Sequence, residues 1–162
     1  MKKLLLLFSV VMSSFSAYSQ CEIPQPFTGN TGSNMTIMLT ADFINSLSIS
    51  SEDAYIVGVT PDGMVVGSVN VFGVPQTSLA IWGDDTDSPE LDGAMFGEDI
   101  TLQLVDGSSL YNLTIPASIA YSTNGMVVQG SPVTADLCGG DTQAGDCDYP
   151  GIYSGNTGNN MT

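Results

Sequence analysis

The chain has 162 residues, 43% of them hydrophobic, with 18 Gly and 8 Pro, which is apolar enough for a folded core and rich in turns. Its two basic residues are Lys2 and Lys3, set against 17 Asp and Glu and no His. That balance excludes direct nucleic-acid binding, which needs Lys or Arg to displace counterions, and it repels anionic membrane surfaces.

Met1-Lys2-Lys3 reads as a positive n-region, Leu4 to Met12 as an apolar h-region, and the small residues up to Ala17-Tyr18-Ser19 as a cleavage region. This predicts a secretory signal peptide over 1–19, cut before Gln20. The apolar run is too short to span a bilayer. Cys21 invites a lipoprotein reading, but a lipobox wants a small residue where Gln20 stands, so simple secretion is preferred. The exported chain then carries its 17 acidic residues with no basic residue to answer them.

The next stretch is written twice. Cys21 to Thr36 (CEIPQPFTGNTGSNMT) returns as Cys147 to Thr162 (CDYPGIYSGNTGNNMT), identical at nine of sixteen positions. Glu22/Asp148, Phe27/Tyr153 and Thr28/Ser154 are close exchanges. Such a repeat predicts a modular architecture: one module over 20–138, a polar linker over 139–146, and the first residues of a second, truncated module over 147–162.

Within the module, Thr28–Asn34 reads as a Gly- and Asn-rich loop. Met35–Thr40 alternates as a strand, and Ala41–Ser51 reads as a helical turn or loop. Ala54–Val59 and Met64–Val71 read as strands around the turn Thr60-Pro61-Asp62-Gly63, with Tyr55, Val57 and Val59 on one face. Thr77–Trp82 is a strand placing Leu79 and Ile81 together. Asp99–Val105 alternates most clearly, Ile100, Leu102 and Leu104 inward and Thr101 and Gln103 outward. After Asp106-Gly107-Ser108-Ser109, Leu110–Ile115 alternates again. Asn124-Gly125 is a hairpin-type turn before Met126–Gln129, and Pro132–Leu137 makes a last extended pass. Seven or eight short strands with no amphipathic helix predict an all-β fold, an antiparallel β-sandwich of immunoglobulin-like or jelly-roll outline.

Asp84, Asp85, Asp87, Glu90, Asp92, Glu98 and Asp99 place seven carboxylates within sixteen residues. Unscreened, they repel one another. A hard cation such as Ca²⁺ takes six to eight oxygens, so Asp84, Asp85, Asp87, Asp92 and Glu98 are the candidate ligands, against the simpler reading of a solvated acidic loop. No register fits an EF-hand, which needs Gly at its sixth position and Glu at its twelfth. The one Trp, Trp82, abuts this loop. It is a candidate platform for stacking a sugar ring, although a lone Trp at a strand end more often fills the core. Tyr55, Tyr111 and Tyr121 share that ambiguity.

Export implies an oxidising compartment, so the three cysteines are expected to bridge. Cys21 can close onto Cys138, leaving Cys147 to a partner elsewhere, or Cys138 can bridge Cys147 across the linker. The first is preferred because it gives each repeat its own pair. Metal binding by these thiols is not expected without a CxxC or His. The lack of His also removes Ser-His-Asp and Cys-His chemistry, and a glycosidase-like carboxylate pair, chemically possible, is singled out by nothing. The chain is expected not to be an enzyme.

The segment Ile81 to Ile100 (IWGDDTDSPELDGAMFGEDI), followed by TLQL, resembles secreted, repeat-bearing surface proteins of the Bacteroidota, which often carry W-G-D-D, then T-x-x-x-D-G and G-E-x-I. The N-M-T-I-M-L stretch and the S-x-Q-C junction after the signal peptide look similar too. The resemblance implies an exported multidomain protein using type IX secretion and a C-terminal sorting domain, which does not appear in this chain. Together these readings predict a secreted or surface-displayed repeat module with a structural or adhesive role. The alternative is a carbohydrate-binding accessory module of a larger secreted enzyme. The expected partners are a polysaccharide or surface protein and further repeats, with no membrane insertion.

Overall fold

The structure, a computed structural model, describes residues 21–85 and 89–139. The expected signal peptide, nearly all of the expected linker and the second copy of the repeat lie outside the described residues.

Nine strands and one helical turn are described. They are β1 (Asn34–Leu39), α1 (Ala41–Asn45), β2 (Tyr55–Val59), β3 (Val65–Asn70), β4 (Thr77–Trp82), β5 (Asp99–Asp106), β6 (Ser109–Thr114), β7 (Ile119–Ala120), β8 (Met126–Gln129) and β9 (Thr134–Leu137). Three strands form a small sheet in the order β4-β1-β8. The large sheet runs β3-β2-β5-β6-β9, with β7 also pairing β5. The two face each other as a β-sandwich.

Alternation along each strand sets the layers. Met35, Ile37 and Leu39 of β1 and Leu79 and Ile81 of β4 are fully buried, and the register pairs Met35 with Ile81 and Ile37 with Leu79. Opposite them, Ile56 pairs with Leu104, while Leu102 pairs with Leu113. Ile100, Leu102 and Leu104 point inward, as their spacing predicts, each at most 2% exposed. α1 closes one end with Phe43 and Ile44.

The expected hairpin of β2 and β3 forms, with the Thr60 amide bonded to the Met64 carbonyl at 2.9 Å across the turn. One expectation changes. The Asn124-Gly125 turn does not lead into a hairpin: β8 runs parallel to β1, Thr36 opposite Met126. Asn124 adopts a φ of 57°, and its amide bonds to the Asn34 carbonyl at 2.8 Å, tying the turn to β1. Tyr55, Val57 and Val59 share one face, as expected, and it is the outer face of the large sheet. Ile56 faces the sandwich, and Val57 points out of it yet is fully buried.

What buries it is the N-terminal segment. Residues 21–30, with no regular secondary structure, cross the outer face of the large sheet as a strap. The strap starts at Cys21, disulfide-bonded to Cys138 just after β9, with 5.9 Å between Cα atoms. It passes Tyr55, whose hydroxyl donates to the Pro24 carbonyl at 2.6 Å. It then reaches β3, where the Phe27 amide donates to Ser68 Oγ at 2.9 Å. Val57, Val105 and Leu110 on this face are thereby buried. The preferred pairing of Cys21 with Cys138 is the one the fold makes. Closing a loop of 117 residues contributes about 4 to 5 kcal/mol in the chain-entropy account.

Candidate functional site

Two features follow from this frame: the acidic loop after β4 and the strapped face. At the loop's neck the Asp84 amide donates to the Ala94 carbonyl at 3.0 Å and the Ala94 amide to the Trp82 carbonyl at 2.9 Å. Gly83 and Ala94 thus form an isolated parallel bridge that joins the two ends of this stretch. Gly93 is required here, since a Cβ would overlap the Gly83 carbonyl group. The Gly83 amide donates to the Ser33 carbonyl at 2.9 Å. The Thr31 hydroxyl donates to the Gly83 carbonyl, so the strand entry after the strap also holds this neck.

Two of the carboxylates read as candidate ligands accept backbone amides close by in the chain. Asp84 Oδ1 accepts the Asp92 amide at 3.1 Å. Glu98 Oε2 accepts the Met95 amide at 2.9 Å, closing the turn whose Gly97 and Glu98 bond to the backbone of Tyr121. Asp85 is likewise engaged, and Asp87 lies outside the described residues. Among the described residues, no three acidic side chains converge as metal ligands. At the floor of the neck Tyr121 is 3% exposed, packed against Gly83, and its hydroxyl has no hydrogen-bond partner among the described residues. The loop's apolar residues face outward instead: Leu91, Met95 and Phe96 are exposed, Phe96 by 83%.

Trp82 is half-buried, not in the core. Its register partner is Asn34, whereas Ile81, one residue earlier, pairs with fully buried Met35. Strand alternation therefore places Trp82 on the outer face of the small sheet, with Ser78, Ala80, Asn34 and Thr36. No tyrosine among the described residues joins it. Tyr55 lies under the strap, Tyr111 pairs with Leu104 in the large sheet, and Tyr121 is buried. Met126 and Val128, opposite Thr36 and Met38, share this face and are exposed by 71% and 58%.

One carboxylate that sequence reading took for a turn residue is the best satisfied. Asp106, at the end of β5, is 7% exposed. It accepts the Ser50 amide at 2.9 Å, the Ser50 hydroxyl at 2.7 Å and the Ser51 amide at 2.6 Å. Burial pushes its pKa up, but these three donors outweigh burial and hold it below the ordinary carboxylate value. No alternation rule marks such a residue, because the donors lie 55 and 56 residues away. For Tyr55 burial pushes the pKa up. Its bond to the strap requires the protonated hydroxyl, which sequence reading had no means of assigning.

A shallow pocket beside the disulfide is lined by Cys21, Pro24, Val59, Val65, Gln103 and Leu110, on the strapped face. No family model, no curated protein and no solved structure matches the chain. Among the described residues no helix is long and apolar enough to cross a membrane. The disulfide is compatible with an extracellular setting.

Proposed function

We propose that this chain is an exported structural repeat module, a stiff β-sandwich bead with a spacer or adhesive role at the cell surface. The observation that carries the reading is the disulfide-pinned strap. Cys21 and Cys138, at opposite ends of the module, are joined, so each unit is closed on itself, and a second strap sequence begins at Cys147. A unit closed in this way resists being pulled open from its ends. Exposed Leu91, Met95 and Phe96, in and just after an acidic loop, suit contact with a partner that is apolar and basic or bridged by cations. Ca²⁺ held by the loop through Asp84, Asp85, Asp87, Asp92 and Glu98 is part of this proposal, supported by carboxylates concentrated without a basic residue.

The test is a Ca²⁺ titration of the EDTA-stripped mature chain, with Mg²⁺ as control, read by binding heat and melting temperature. A saturable stabilisation at about 10⁻⁴ to 10⁻³ M, the range of extracellular modules, and lost in Asp84→Asn with Asp92→Asn, supports a stiffened loop. A flat response through that range removes calcium and leaves the strap as the stiffening element. Force spectroscopy on the oxidised chain then tests the spacer role itself. Extension of the whole module at low force, as after reduction, would sink it.

A second reading is favoured by one observation: Trp82 stands half-exposed on a sheet face that also presents Asn34, Thr36 and Ser78. An aromatic ring beside short polar groups is the chemistry of a carbohydrate-binding module. Tryptophan fluorescence titrated with neutral polysaccharides separates the two. A saturable change abolished by Trp82→Ala selects carbohydrate binding; no change selects the spacer.

A further inference from the structure

The strap that covers the large sheet has a second copy in the same chain, and the copy keeps what the strap uses to hold on. Cys21, which forms the disulfide, returns as Cys147. Gly29, over which the Phe27 ring folds so closely that a Cβ would overlap it, returns as Gly155, with Tyr153 in place of Phe27. Asn30, whose Oδ1 accepts the Gly32 amide at 3.0 Å, returns as Asn156. Thr31, which donates to the Gly83 carbonyl, returns as Thr157. Gly32, at a φ of +84° that disfavours a side chain, returns as Gly158. Pro24, whose carbonyl accepts the Tyr55 hydroxyl, returns as Pro150. Residues 147–162 lie outside the described residues, and only their sequence enters this comparison.

We propose that the strap groove is a binding site for residues 147–158 of the same chain, which replace residues 21–32 there while Cys147 replaces Cys21 on Cys138. This inference does not depend on what the module binds. The groove residues Val57, Val59, Val105 and Leu110, with Tyr55 and Ser68, are uncharged, and Asp136 at the β9 edge of the same face meets either strap alike. The incoming segment brings one acidic residue, Asp148, where the resident strap has Glu22. The exchange therefore adds no repulsion in this polyanionic chain.

The covalent step is a thiol–disulfide exchange. The Cys147 thiolate attacks Cys138 Sγ, the Cys138–Cys147 bond forms as the Cys21–Cys138 bond breaks, and Cys21 leaves as the thiolate, taking up the proton that Cys147 gave to solvent. No net oxidation occurs. Cys21 and Cys138 are both half-exposed, so the bond is within reach. The short, Gly-containing linker 139–146 sets an effective concentration of the order of millimolar, far above that of a second chain at micromolar concentration, so the exchange occurs within one chain. The resident copy is favoured by stiffness. It has Gln25-Pro26 where the second has Gly151-Ile152, and the loss of a Pro and gain of a Gly shift such an equilibrium by about tenfold.

The test uses the full mature chain in a glutathione redox buffer at pH 8. Free thiols are alkylated after equilibration, and the bridged peptides are identified by mass after cleavage at Asp, because the chain beyond Lys3 has no site for trypsin. The expected result is a Cys138–Cys147 bridge with alkylated Cys21 in about one chain in ten. A chain keeping Cys147 but with residues 148–158 replaced by Gly and Ser should show at least a several-fold lower share. Equal shares in the two chains would mean proximity alone and overturn the groove as a recognition site. A bridge found only between chains, or none at all, would overturn it as well.

Discussion

The two sheets present outer faces that begin alike and end differently. The large sheet's outer face holds Val57, Val105 and Leu110, each at most 6% exposed. The small sheet's outer face holds Trp82, Met126 and Val128, and the last two are more than half exposed. The difference lies in the cover. A strap of ten residues, fixed at Cys21 and along Tyr55 and Ser68, removes one face from water, and nothing among the described residues lies over the other. A strand such as Tyr55–Val59, apolar on both sides, needs two covers, whereas Thr77–Trp82 alternates and needs one. The strap therefore acts as a third layer of the domain, and the bare face is where a partner would first find apolar surface.

The sharpest way to break this comparison is to release the strap. Cys21→Ser with Cys147→Ser, which leaves Cys138 unpaired, should cost about 4 to 5 kcal/mol in denaturant unfolding. An effect under 1 kcal/mol would mean that the strap holds without its covalent pin. Next in size is Asp106→Ala, which strands the Ser50 and Ser51 donors and should cost about 3 kcal/mol. Its pH signature is specific. A folded pKa held low means stability is present above the ordinary carboxylate pKa and is lost as pH falls through the folded value. Acid titration of the melting temperature should show this loss in the wild type and less of it in the variant.

The two faces can then be compared directly. Val57→Ala, under the strap, removes two buried methylene equivalents and should cost about 1.5 kcal/mol. Val128→Ala, on the bare face, should stay within about 0.5 kcal/mol. Equal costs would mean that an additional element covers the small sheet. Tyr55→Phe should cost about 1 kcal/mol for one half-buried hydrogen bond. Because burial raises the Tyr55 pKa, its contribution is complete below the unfolded tyrosine pKa and disappears as pH rises through the folded value. The variant should therefore lose less stability than the wild type as pH rises above the ordinary tyrosine value of about 10.

Local pattern carried much of this fold. Ile100, Leu102 and Leu104 alternate with polar neighbours, and burial of one strand face follows from a side-chain period of two. Thr60-Pro61-Asp62-Gly63 specifies its turn through backbone preferences that need no distant partner; Gly63 indeed sits at a φ of +86°. Three cysteines also left few pairings, and the repeat favoured the one that forms. Less of the candidate site was legible. Trp82 faces outward because β1 pairs with β4 in the register Asn34 opposite Trp82, and a strand's own residues do not say which face its neighbours will cover. Asp84 and Glu98 look like any surface carboxylates until the backbone brings the Asp92 and Met95 amides to them. The strap, the parallel pairing of β8 with β1 and the burial of Asp106 all join residues dozens of positions apart. Composition, strand period and turn chemistry are local and were written in the chain, whereas which surface covers which is settled only when those distant segments meet.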